Sequence, residues 1–106
     1  MKELQTEQEF SVWKNGKTIF MFSADWCPDC RVIEPLLPEL EDQYSQFSFV
    51  YVDRDKFLDI CSAYDIFGIP SFLAYENGEE TGRLVSKNRK TKEEIQDFIE
   101  KSSLSK

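Results

Sequence analysis

Hydrophobic positions along the chain fall into two rhythms that punctuate each other. Lys17 to Ser23 encloses the unbroken apolar run Ile19-Phe20-Met21-Phe22. A short run of this kind between polar residues predicts a buried strand. Phe47 to Asp53 alternates and is rich in β-branched and aromatic residues, predicting a second strand. Ser71 to Tyr75 predicts a third, after the break at Gly68-Ile69-Pro70. Asn77-Gly78 then signals a hairpin into a fourth strand at about Thr81 to Ser86. Between these, apolar residues recur at helical spacing. Val32, Ile33, Leu36, Leu37 and Leu40 mark a long helix from Cys27 to about Tyr44, bent by Pro35 and Pro38. Phe57 to Tyr64 predicts a short helix, and Ile95, Phe98 and Ile99 a final one capped by Thr91. Thr6-Glu7-Gln8-Glu9 has the form of a capping box, opening a first helix that ends near Asn15-Gly16. The order is α β α β α β β α. A β-α-β unit followed by a hairpin implies an α/β fold, a mixed sheet with helices on both faces.

Length and charge narrow the functional classes. A chain of 106 residues predicts one domain spanning 1–106. Nine Phe, four Tyr and two Trp supply the apolar area for its core. A net charge of −7 speaks against nucleic acid as a partner. The basic cluster Lys87, Arg89, Lys90, Lys92 reads as a solvated turn, and Glu39, Glu41, Asp42 as a solvated helix face. No run of 18 apolar residues exists, so no membrane association is expected. The first seven residues carry no secretory apolar core. Three cysteines are too few for the disulfide framework of a small secreted protein, so a cytoplasmic location is expected.

Trp26-Cys27-Pro28-Asp29-Cys30 carries the chemistry. The two cysteines sit where a buried strand ends and a helix begins, which is the context of a redox dithiol. The first helical turn has unpaired N–H groups and a partial positive charge, both of which stabilise a thiolate. Cys27 fits the N-cap, with Pro28 at the first helical position, where its missing N–H is not needed. Cys27 is therefore the candidate nucleophile and Cys30 the resolving thiol. Asp29 places a negative charge nearby and is expected to oppose thiolate formation, making Asp29, together with Asp25, a candidate modulator of the thiol pKa. A zinc site would need two more ligands, and the chain has no histidine and no second Cys-x-x-Cys. No metal and no tightly bound cofactor are expected. Cys61, at an apolar helical position, reads as a core residue.

The chain resembles the thioredoxin family over nearly its whole length. Ser23 to Cys30 resembles the active-site segment, Pro35 the helix-bending proline, Gly68-Ile69-Pro70-Ser71-Phe72 the cis-proline loop, and Asn77-Gly78-Glu79 the hairpin. The resemblance implies a central mixed sheet of four strands, or five if the residues before Thr6 also pair. Few residues precede Thr6, so that terminal strand is expected to be missing and the Phe47–Asp53 strand to form a sheet edge. The resemblance further implies a cis Pro70, with Ile69 presenting its backbone to a substrate strand and Trp26 on the groove rim. It implies reduction of disulfides in proteins or small molecules by dithiol exchange, in a monomer. Regeneration would come from a thioredoxin-reductase-type flavoenzyme or a low-molecular-weight thiol. Two departures matter. Pro28-Asp29 stands where Gly-Pro is usual, similar to a thioredoxin-related subgroup. Met21 and Phe49 occupy the places of the family's buried aspartate and lysine, so nothing obvious accepts the Cys30 proton. Reduction of small disulfides or persulfides, and a docking module without turnover, are the alternatives.

Overall fold

The computed structural model describes residues 1–86 and 88–103. Eight of its elements match the sequence order, with helix α1 (Glu7–Lys14), strands β2 (Lys17–Ser23), β3 (Ser48–Asp53), β4 (Ser71–Glu76) and β5 (Glu79–Leu84), and helices α2 (Pro28–Ile33), α4 (Leu58–Ala63) and α5 (Lys92–Ser103). The long helix beginning at Cys27 is broken, as its prolines require. A 3-10 turn at Glu34–Leu36 follows α2, and α3 (Leu37–Gln43) resumes with Pro38 in its first turn. The last strand starts two residues earlier than its predicted boundary. Asn77 and Gly78 both take positive φ (55° and 85°), the backbone of a two-residue hairpin loop, so β5 pairs from Glu79 onward.

The sheet has five strands in the order β1-β3-β2-β4-β5, where β1 is the two-residue segment Lys2–Glu3. It corrects the expectation that the terminal strand is missing and β3 is a bare edge. β1 pairs parallel to Val50 and Tyr51, and Leu4 N–H donates to the Tyr51 carbonyl at 2.8 Å. Two exposed charged residues show no period, so only the fully buried Leu4 betrays the segment in the sequence. Strand β3 runs parallel to β2, and β4 antiparallel to it.

The register divides the core in two. Ile19, Met21, Phe49, Phe72 and Ala74 face one side, under Ile33, Leu37 and Leu40 and under Ile95, Phe98 and Ile99 of α5. Phe20, Phe22, Val50, Val52, Leu73 and Tyr75 face the other, against Phe10 of α1 and Ile60 and Cys61 of α4. Both faces of β2 are therefore covered, which is why its apolar run has no gaps. Thr6 caps α1 by accepting from Glu9 N–H at 3.2 Å, while the Glu9 carboxylate reaches back to Gln5 N–H at 2.8 Å.

The basic cluster differs from a simple solvated turn. Lys87 lies outside the described residues. Lys90 is 2% exposed, with Nζ donating to the carbonyls of Ser86 (2.7 Å) and Asn88 (2.8 Å). Lys92 pairs with Glu39 on α3, so the acidic helix face is partly cross-linked as well.

Candidate active site

β2, the central strand, ends at Ser23, and the turn after Ala24 starts α2 with Cys27 as N-cap and Pro28 at the first helical position. Cys27 and Cys30 are joined as a disulfide, their Cα atoms 5.3 Å apart. The Cys30 N–H donates to Cys27 Sγ at 3.2 Å. A first-turn N–H with no partner inside the helix thus already points at the first sulfur, the arrangement that favours negative charge there. The pair is asymmetric in access: Cys27 is 4% exposed and Cys30 fully buried, packed with Ala24 and Ile69.

The Ile69–Pro70 peptide bond is cis, and the Ile69 carbonyl oxygen lies 3.9 Å from Cys27 Sγ. A groove of about 370 Å³ runs beside Cys27, walled by Trp26, Pro28 and Asp29 on one side and Ile66 to Ile69 on the other, with Arg54 at its end. Trp26 and Phe67 are strongly exposed on its rim (59% and 63%). Trp26 is nevertheless held: its Nε1 donates to the Asp55 carboxylate at 2.7 Å, and the Arg54 guanidinium sits over its ring at 5.7 Å. Sequence reasoning named Trp26, Ile69 and Pro70 but missed Phe67 and Arg54. The Ile66-Phe67 pair just before Gly68 was the available signal for Phe67.

Charge around the dithiol is organised by long-range contacts. Asp25 is exposed, and its backbone carbonyl accepts from the Arg31 guanidinium. The carboxylate of Asp29, the other candidate modulator of the thiol pKa, accepts from Arg89 Nε at 2.9 Å, across 60 residues of chain. Behind Arg89, burial pushes the Lys90 ammonium below its usual range, against the attraction of Glu94 and Asp29.

Apolar packing lies beneath the pair. Met21 is 1% exposed and Phe49 6%, both in the cluster covered by Ile33 of α2. Polar groups gather to one side, where Asp25, Glu34, Tyr51 and Asp53 line an open cavity of about 500 Å³. Burial raises the Tyr51 phenol above its ordinary pKa. Cys61 is buried on the other face of the sheet, where burial likewise pushes its thiol up. Among the described residues, no group of three or more His, Cys, Asp or Glu has the placement to hold a metal ion. No helix there is long and apolar enough to cross a membrane.

Comparison with known proteins meets this geometry from the outside. The family model described as Thioredoxin matches residues 2–101. Thioredoxin H4-1 of Oryza sativa subsp. japonica is 42% identical over 77 residues, covering 72% of this chain and 59% of that protein. The thioredoxin of Mycoplasma genitalium is 38% identical over 88 residues, 83% of this chain and 84% of that protein. Among solved structures, a Plasmodium falciparum thioredoxin superposes with a TM-score of 0.83 at 28% identity, over 95% of this chain and 98% of that one. The alignments span 55–59% of the length of three plant H-type thioredoxins.

Proposed function

The chain belongs to the thioredoxin family, and from that premise we propose that it is a cytosolic thiol–disulfide oxidoreductase in which Cys27 is the nucleophile and Cys30 the resolving thiol. The observation that carries this reading is the Cys27–Cys30 disulfide at the N-terminus of α2, with the less buried sulfur beside the groove. In the reduced protein the Cys27 thiolate attacks one sulfur of a substrate disulfide. A mixed disulfide forms and the other substrate sulfur leaves as a thiolate, taking up a proton. Cys30 then loses its proton and attacks Cys27 Sγ. The second substrate sulfur departs, and the Cys27–Cys30 disulfide remains. Two electrons have passed from the dithiol to the substrate, and an external flavoenzyme or small thiol returns them. The exposed Trp26 and Phe67 support an extended protein segment as substrate, laid along the backbone of Ile69 and Pro70.

Equilibrating the protein in dithiol/disulfide buffers of graded potential and counting free thiols by mass tests the proposal. The expected result is one reversible two-electron transition at a strongly reducing midpoint. A midpoint near the oxidising end of the family's range would make the protein an oxidant or isomerase. The absence of any intramolecular couple would remove the dithiol mechanism.

Resolution is expected to be the slow step near neutral pH. Met21 and Phe49 cannot accept the Cys30 proton; the nearby carboxylates are Asp29 at the groove, paired with Arg89, and Asp25, Glu34 and Asp53 at the cavity to the side. Met21→Asp, in a variant verified as folded by circular dichroism, is expected to speed release of the mixed disulfide by about a hundredfold, the low end for a positioned proton acceptor. An unchanged release rate would place the limiting step elsewhere.

A further inference from the structure

Resting on the reading of Cys27 as nucleophile, we propose that Arg89 is a positioning residue for the dithiol, a latch from the loop before α5 that neutralises Asp29 and thereby keeps the Cys27 thiolate accessible near neutral pH. Asp29 lies between the two cysteines in the first turn of α2, so an unscreened carboxylate there acts against a thiolate at either. Arg89 Nε meets Asp29 Oδ1 at 2.9 Å.

An exposed ion pair between two flexible side chains usually contributes little. This one differs because its loop is tied at both ends. Upstream, the buried Lys90 ammonium grips the carbonyls of Ser86 and Asn88. Downstream, Thr91 and Glu94 close a reciprocal capping box: Glu94 N–H donates to Thr91 Oγ1 (3.1 Å) and Thr91 N–H to Glu94 Oε1 (2.9 Å). Arg89 therefore leaves an anchored piece of backbone, so pairing with Asp29 has to order the two side chains and not the chain that carries them. Other charges face the turn from every side. Asp25 and Arg31 flank it on its own segment, Arg54 and Asp55 come from beyond β3, and Lys90 lies behind with Glu94 of α5. Residues 66–70 of the cis-proline loop carry no charge. Only Arg89 makes a direct ion pair with Asp29 among the described residues.

Measuring the alkylation rate of reduced Cys27 by iodoacetamide against pH, read by mass, tests this. Arg89→Gln exposes the bare carboxylate. Its thiolate fraction near neutral pH is expected to fall about threefold to tenfold, the effect of one nearby unit charge at intermediate dielectric. Asp29→Asn on top of Arg89→Gln removes the anion and is expected to return the profile to the wild-type position. Arg89→Lys keeps the charge and is expected to stay close to wild type. An Arg89→Gln profile that superimposes on wild type overturns the proposal, and so does a double variant that stays with Arg89→Gln. Alkylation needs only a thiolate and no turnover. A protein without a reversible Cys27–Cys30 couple would therefore lose the oxidoreductase reading while the latch was still scored.

Discussion

Cys30→Ser is expected to stall the protein with its substrate attached. Cys27 would still attack, because its thiolate is stabilised by the helix start and by the Cys30 backbone N–H, which the substitution retains. The buried hydroxyl that replaces the second thiol cannot displace a sulfur at neutral pH, so the mixed disulfide on Cys27 accumulates and survives non-reducing electrophoresis. Cys27→Ser should show the opposite: no covalent adduct, and disulfide-reducing activity down on the order of a thousandfold or more, as expected when the nucleophile of a two-step exchange is lost. The assignment depends on asymmetry of access, with one sulfur at the groove and the other fully enclosed by Ala24, Cys27 and Ile69. Adducts trapped by Cys27→Ser and not by Cys30→Ser would reverse the two roles. Partners retained without any covalent bond in both variants would make the protein a docking module. Each substitution exchanges a sulfur for an oxygen of similar shape, so both variants are expected to fold.

The features legible in the sequence share a physical cause: each is local. A Pro at the first helical position, a thiol as N-cap, Asn-Gly between two apolar runs and Pro35 and Pro38 inside a helical pattern each constrain the few residues around them. Cys27 caps α2 with Pro28 at its start, and Asn77 and Gly78 take the positive φ of the hairpin. What escaped depends on contacts distant in sequence or on the backbone alone. β1 forms because Lys2 and Glu3 find free strand edge at Val50 and Tyr51, a fact about β3 and not about those two side chains. Lys90 reads as one of several surface cations until the carbonyls of Ser86 and Asn88 surround its ammonium. The partner of Asp29 could not be read from its neighbours in the chain, because Arg89 is 60 residues away. Lys14 is similar: its ammonium donates to the Tyr64 hydroxyl at 2.6 Å and sits over the rings of Phe10, Tyr64 and Tyr75, closing an aromatic cluster assembled from α1, β4 and the end of α4.

That cluster sets the second large effect. Phe20→Ala is expected to cost about 3–5 kcal/mol of stability, the usual penalty for emptying a buried phenylalanine site. Phe20 is fully buried in the central strand, its ring centroid 4.6 Å from Phe10 and 6.0 Å from Tyr75, and these rings in turn lean edge-on against Tyr64. The neighbours cannot collapse into the gap cheaply. Phe10 is fixed on α1, Tyr75 on β4, and Lys14 plugs the far side through its bond to Tyr64. Domains of this size have only about 5–15 kcal/mol in total, so the midpoint of urea unfolding should fall sharply with the slope unchanged. Phe20→Leu, which keeps most of the volume, should lose far less. A loss below about 1 kcal/mol for Phe20→Ala would mean that the cluster relaxes around the cavity, contrary to its close packing. Chemistry should separate from stability in this variant. Phe20 points to the side of the sheet away from α2, and Met21 and Phe72, which lie under the dithiol's helix, are untouched. In the fraction that remains folded, the Cys27–Cys30 midpoint and the alkylation profile of Cys27 should match wild type. A shift in either would show that the two faces communicate through β2, whose alternate residues serve the core on one side and the floor of the active site on the other.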